Sequence, residues 1–164
     1  MNVISAHAPQ VGLDEKEKKE FWEVLDEVVR SISSTEKLLM RGDFNGHIGS
    51  LPRGLKGVHG GFGFGERNDG GSALLDFSRS FGLWITNSSF SKKEEHLITF
   101  RSLVDKTQID ILLLRKRDKA LCKDCKVIPS KNLLTQHRLL VMDLVINKGK
   151  GKRSVEDRPR IKWG

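Results

Sequence analysis

The chain has 164 residues, which suits one domain. Hydrophobic residues make up 37% and charged residues 30%, an ordinary globular balance that excludes an intrinsically disordered chain. No apolar run reaches the roughly 18 residues needed to span a bilayer, and no apolar signal region follows Met1, so the reading is an intracellular protein. Lys plus Arg outnumber Asp plus Glu by 29 to 21, giving a net charge of +8 that favours a polyanionic partner.

Val3 to Ala8 reads as a strand ended by Pro9. Asp14 to Ile32 reads as a helix, because Phe21, Trp22, Leu25, Val28, Val29 and Ile32 recur at helical spacing among charges. Its acidic residues Glu15, Glu17 and Glu20 fall on the solvent face. Lys37 to Met40 is a short buried strand. The segment from Gly42 to Gly71 holds 11 of the 16 glycines, and so long an irregular loop in a compact domain is usually functional. Ser72 to Phe81 is a second helix with Gly82 as its stop. Short apolar strands follow at Leu83–Asn87, Leu97–Ser102, Gln108–Leu114, Lys126–Ile128 and Leu139–Ile146. Two helices among at least six strands indicate an α/β sandwich with helices outside the sheets. The domain is expected over 1–146, with 147–164 as a basic tail or linker carrying seven basic and two acidic residues. The lone Cys122-x-x-Cys125 lacks the further ligands of a zinc site and reads as two reduced thiols.

Three places carry chemistry. Gly42-Asp43-Phe44-Asn45 directly follows a buried strand, where scaffolds place catalytic groups, although Asp and Asn also favour plain turns. Asp110 is one carboxylate in an otherwise apolar strand, costly to bury unless paired. His137 opens another apolar strand, and a carboxylate beside it would orient the imidazole and raise its basicity.

The ordered segments Val3–Pro9, Gly42–Asn45, Gln108–Leu112 and Gln136–Arg138 resemble the exonuclease–endonuclease–phosphatase superfamily. The segment from His59 to Gly71, the run Asp124–Pro129 and the tail Arg158–Trp163 narrow the resemblance. They look like the endonuclease region of RTE-type non-LTR retrotransposons and the craniofacial development protein 2-like proteins that share it. The resemblance implies a four-layer α/β sandwich and DNA phosphodiester cleavage with Mg2+ or Mn2+, hence a nuclear location. It implies that Asp43 orients or deprotonates the attacking water and that Asn45 holds a phosphate oxygen. It also implies that Asp110 pairs with His137, which stabilises the pentacovalent phosphate. His7 and Asn68 fall to substrate binding, and Asp43 with Gln136 to the metal.

The chain departs from that pattern. His7 stands where the family has a phosphate-contacting tyrosine, and the chain has no Tyr. Gln136 stands where the family has a metal-binding Asp, and an amide oxygen lacks the charge that holds a hard cation. The family segment that supplies the principal metal-binding Glu would precede Met1. The expectation is therefore a truncated fold with an incomplete metal site and an open sheet face, covered by the missing segment or by another chain. Three functions stay open: a working nuclease, an inactive nuclease fold that binds DNA or protein, and a remnant without function.

Overall fold

The structure, a computed structural model, describes residues 1–10, 12–129 and 136–146. The expected tail or linker at 147–164 lies outside the described residues. The chain forms β1 (Asn2–His7), α1 (Glu15–Ser31), β2 (Leu38–Asp43), α2 (Asp69–Ser80) and β3 (Leu83–Ile85). There follow the short β4 (Phe100–Arg101) and β5 (Lys106–Thr107), then β6 (Asp110–Arg115), β7 (Cys122–Ile128) and β8 (Leu139–Leu144). β1, β2, β6 and β3 form one sheet in that order, while β4–β5 and β7–β8 are two-stranded ladders.

Alternation along the strands separates two layers. Leu38 and Met40 of β2, Leu83 and Ile85 of β3, and Ile111 and Leu113 of β6 share one buried cluster with Leu25 and Val29 of α1 and Leu74, Leu75 and Phe77 of α2. The opposite face presents Trp84 and Leu114 to Cys122, Met142 and Leu144 of the β7–β8 ladder. The order is helices, sheet, second β-layer, which is part of the expected α/β sandwich. α1 starts where Asp14 accepts from the Lys16 N–H, and its apolar stripe seats the helix on the sheet. Glu15, Glu17 and Glu20 are exposed, as their position on the helix requires. α2 starts on Asn68, whose side chain accepts from the Gly71 N–H, and Gly82 beyond its end takes φ +60°, a left-handed conformation glycine adopts at no steric cost.

Several expected bounds shift. β2 runs on through Arg41, Gly42 and Asp43, so the Gly-Asp pair ends the strand rather than following it. It can do so because a side chain at Gly42 would strike the Ala6 carbonyl across the β1–β2 pair, and glycine has none. The strand expected at Leu97–Ser102 shrinks to Phe100–Arg101, because Leu97 and Ile98 are buried in a connector. β7 begins earlier than expected, at Cys122. The Gly-rich segment is built rather than loose: the buried His59 accepts from the Gly61 N–H through Nδ1 and donates from Nε2 to the Gly49 carbonyl. Arg67 donates to the carbonyls of Ile48, Leu51 and Pro52.

The basic run Arg115–Lys119 is also corrected. Arg115 is buried and spends its guanidinium on the carbonyls of Glu36 and Ser33. β6 separates that run from Asp110 by about 17 Å, since strands rise about 3.4 Å per residue. It therefore sits at the opposite end of the sheet. β1 is an edge strand with Val3 59% exposed, and Leu139 on β8 is 63% exposed. An open edge and exposed apolar side chains are present, as anticipated from the sequence.

Leu113 is fully buried, whereas Leu103 at the β4–β5 tip is fully exposed. Leu113→Ala is expected to cost about 2–5 kcal/mol of unfolding free energy, and Leu103→Ala to stay within about 0.5 kcal/mol of the parent. Chemical denaturation checks both. Equal losses would contradict this core.

Candidate active site at the rim between the layers

β1 runs parallel to β2, and β6 runs antiparallel to it. The register sets His7 beside Asp43, and Asp43 beside Asp110. Alternation puts all three on the face opposite the helices, in one row at the sheet rim. His137 arrives from the second layer, just before β8, held by an isolated bridge to Phe100. Its ring meets the Phe100 ring edge-on, with centroids 5.1 Å apart.

The side chains converge as expected. His137 Nδ1 lies 2.9 Å from Asp110 Oδ2, and its Nε2 lies 3.8 Å from Asp43 Oδ2. Asp43 Oδ1 accepts from the Asn45 N–H at 3.0 Å. Asn45 takes a left-handed φ of 47°, which Asn tolerates better than most residues. Its Nδ2 donates to the Ala8 carbonyl at 2.8 Å, so one amide hydrogen is committed to the scaffold. Burial pushes the Asp110 carboxyl above the usual Asp range. The His137 pair and the Thr99 hydroxyl pull it down, and the Asp43 charge adds to the rise.

The other expected site residues divide. His7 lines the cleft that holds Asp43 and Asp110. Asn68 lies beside Asn45 in a neighbouring hollow, but its Oδ1 accepts from both the His47 and Gly71 N–H groups, so that atom is a helix cap. Gln136 is exposed, and its carbonyl accepts from the Arg101 N–H. Among the described residues, the acidic and imidazole atoms close enough to share a metal belong to Asp43, Asp110 and His137, all within 4.8 Å of one another. Asp43 therefore stands with Asp110 and His137.

Sequence reasoning missed four contributors. The buried Thr99 hydroxyl accepts from the N–H groups of both Ile109 and Asp110 at 3.0 Å. Its carbonyl accepts from the Arg138 N–H, next to His137. Asn87 donates to the Asp110 carbonyl and accepts from the Leu112 N–H. Arg41 and Arg138 line the same cleft and offer cations to an anionic ligand. No sequence signal marks Thr99 or Asn87. Strand alternation from Asp43 would have put Arg41 on its face.

No family model matches the chain. The endonuclease domain of TRAS1, a telomere-specific non-LTR retrotransposon, matches with a TM-score of 0.58 and 16% identity, over 79% of this chain and 52% of that one. This chain has an endonuclease fold. Craniofacial development protein 2 from Bos taurus is 29% identical over 143 residues, 86% of the chain and 24% of that protein. The same protein from Tragulus javanicus is 29% identical over 86% of the chain and 25% of its own length. The endonuclease fold here thus spans about a quarter of the curated relatives it matches. Both resemblances expected from the sequence are present, and the endonuclease fold of the neighbour points to divalent-metal dependence in general.

Asp110 generates a pH prediction for the endonuclease fold kept metal-free with a chelator. An acid whose pKa is higher folded than unfolded favours folding fully below its unfolded value, near 3.8, and loses that contribution as pH rises through the folded value. Asp110→Asn cannot ionise. Its Tm is expected to match the parent near pH 3 and to exceed it at pH 7. A lower Tm for the variant at pH 7 would show that attraction to His137 outweighs burial.

Proposed function

We propose that this chain is a retrotransposon-type endonuclease-like domain whose rim hydrolyses DNA phosphodiesters, and that it does so feebly with Mg2+. The observation that carries the reading is the Asp110–His137 contact of 2.9 Å, with Asp43 3.8 Å from the other ring nitrogen, at the rim of an endonuclease fold. Asp43 is the base toward water. Its carboxylate is aimed by the Asn45 N–H, which leaves Oδ2 turned to the cleft. His137, oriented by Asp110, faces the same space and donates to a phosphoryl oxygen as charge builds there. Arg41, Arg138 and His7 supply positive charge along the cleft wall, and the remaining Asn45 amide hydrogen reaches a phosphate oxygen.

A divalent ion would neutralise phosphoryl charge when bound. The donor set is two carboxylates and one imidazole, and Asp110 already accepts from the imidazole. Mg2+ takes oxygen ligands and near-ideal octahedral geometry, so these residues fit it poorly. Gln136 adds at most a neutral oxygen. Weak Mg2+ retention is the reason for feeble turnover, and losing one preorganised stabiliser of charge costs on the order of a hundred- to thousand-fold in rate.

A second reading is an inactive nuclease fold that docks on DNA or protein. Exposed apolar side chains favour it: Leu103 and Val104 at the β4–β5 tip, and Val3 and Leu139 flanking the cleft. DNA as partner, with a nuclear location, is common to both readings and rests on the net charge of +8.

Plasmid relaxation separates them. Slow nicking is expected in Mg2+, falling at least about a hundredfold in Asp43→Ala and in His137→Ala. Nicking that survives both substitutions comes from a contaminant and removes the hydrolytic reading. DNA affinity is expected to fall with salt and to show a shallower salt slope once 147–164 is deleted, because each phosphate contact releases a counterion. An unchanged slope would exclude that segment from the DNA contact.

A further inference from the structure

The rim carries more nitrogen than a Mg2+ site needs. His7, Asp43 and Asp110 stand in register on three adjacent strands, and neighbouring strands lie about 4.8 Å apart. All three line one cleft, which His137 enters from the second layer. Asp110 Oδ2 holds Nδ1 of His137 at 2.9 Å, and this orientation turns Nε2 toward Asp43, whose Oδ2 is 3.8 Å away. A carboxylate behind an imidazole, with the far nitrogen facing a second carboxylate, is the arrangement that orients histidine ligands of a metal. Two donors on one tetrahedral ion at about 2.0–2.1 Å lie about 3.4 Å apart, so closing the present gap takes a few tenths of an ångström.

We propose that this rim binds a single borderline divalent ion of the Zn2+ type. Its ligands are His137 Nε2, the Asp43 carboxylate and the His7 imidazole, with Asp110 as the carboxylate that orients His137. Imidazole suits Zn2+ and related transition ions, whereas Mg2+ prefers oxygen. Three protein ligands leave a fourth position open to water or a phosphate oxygen, as in sites that do chemistry. The inference rests on reading this rim as the functional site. Metal binding alone tests it.

The experiment titrates Co2+, a coloured stand-in for Zn2+, into the full chain made without a polyhistidine tag. One Co2+ per chain is expected, with the visible absorption of a low-coordinate nitrogen and oxygen site and no thiolate charge-transfer band. Equimolar Zn2+ should displace it, and excess Mg2+ should not. His7→Asn, Asp43→Asn and His137→Asn are each expected to weaken Co2+ at least about tenfold, and Asp110→Asn about 10- to 100-fold. Circular dichroism checks that each variant folds, and the parent titration decides the question even where one does not. No uptake by the parent overturns the proposal. So does a thiolate band, which would place the ion on Cys122 and Cys125, or uptake unchanged in both histidine variants. Co2+ uptake without nicking under any metal keeps the ion site and removes the hydrolytic reading. Nicking in Mg2+ without Co2+ uptake removes the ion site alone.

Discussion

The register of β6 against β2 decides where every group at the rim can stand. Asp43 lies opposite Asp110, and a slip of one residue would turn Asp110 toward the helices and bring an apolar neighbour into the cleft. The core holds that register. Leu38, Met40, Ile111 and Leu113 are buried under the helices, and Leu114 is buried under the second layer. A slip would expose both sets at once, at roughly 1.5–3 kcal/mol for each large side chain. Side-chain clamps at the rim add to this. Asn87 bridges the Asp110 carbonyl and the Leu112 N–H, and Thr99 caps the N–H groups of Ile109 and Asp110. Gly42 lets β1 close on β2 beside Asp43, so the row from His7 to Asp110 depends on the missing side chain. The placement of the site is thus a consequence of hydrophobic burial, and its fine orientation a consequence of neutral hydrogen bonds.

What could be read in advance follows the same division. The α1 stripe and the apolar run of β6 are periodic, and periodicity reports burial. Asp110 stood out because a lone carboxylate in that run demands a partner, and His137 supplies it. Arg41-Gly42-Asp43 was not legible as strand, since Gly and Asp ordinarily mark turns and the approach of Ala6 that makes Gly42 necessary comes from 36 residues earlier in the chain. Arg115 misled for a related reason. Its neighbours in sequence are basic, but its carbonyl partners on Ser33 and Glu36 are distant in sequence. Thr99 and Asn87 act through backbone contacts that almost any polar residue could make in principle, so composition gives no sign of them. The Gly-rich segment attracted a functional reading through its length. Its buried His59, its Arg67 and its Asn68 spend their polar atoms on backbone, and Gln108 accepts from the Phe64 N–H to tie it to the approach of β6.

The charge at the site is local and differs from the charge of the chain. The excess of basic residues is a bulk property, and the run Arg115–Lys119 is far from the rim. Arg41, Arg138, His7 and His137 face two carboxylates within the cleft itself. An anionic phosphate entering there meets cations on the walls and carboxylates on the floor. The walls favour binding, and the floor opposes it unless a cation or a proton sits between. That conflict gives a bound ion its value at this rim, and it makes the identity of the ion matter more than the net charge.

Asp110 carries the cost of this arrangement. Burial disfavours its charged form, and the contact with His137 returns part of the loss. An Asn in the same place would still accept from Nδ1 and would escape the desolvation. It would not stabilise a positive ring, and it would polarise the imidazole less toward a metal or a phosphate. Retaining a half-buried carboxylate is therefore a choice of chemistry over stability. The packing around it is consistent with that choice. Thr99 and Asn87 satisfy the backbone on both sides of Asp110, which leaves the carboxylate to His137 and to whatever enters the cleft.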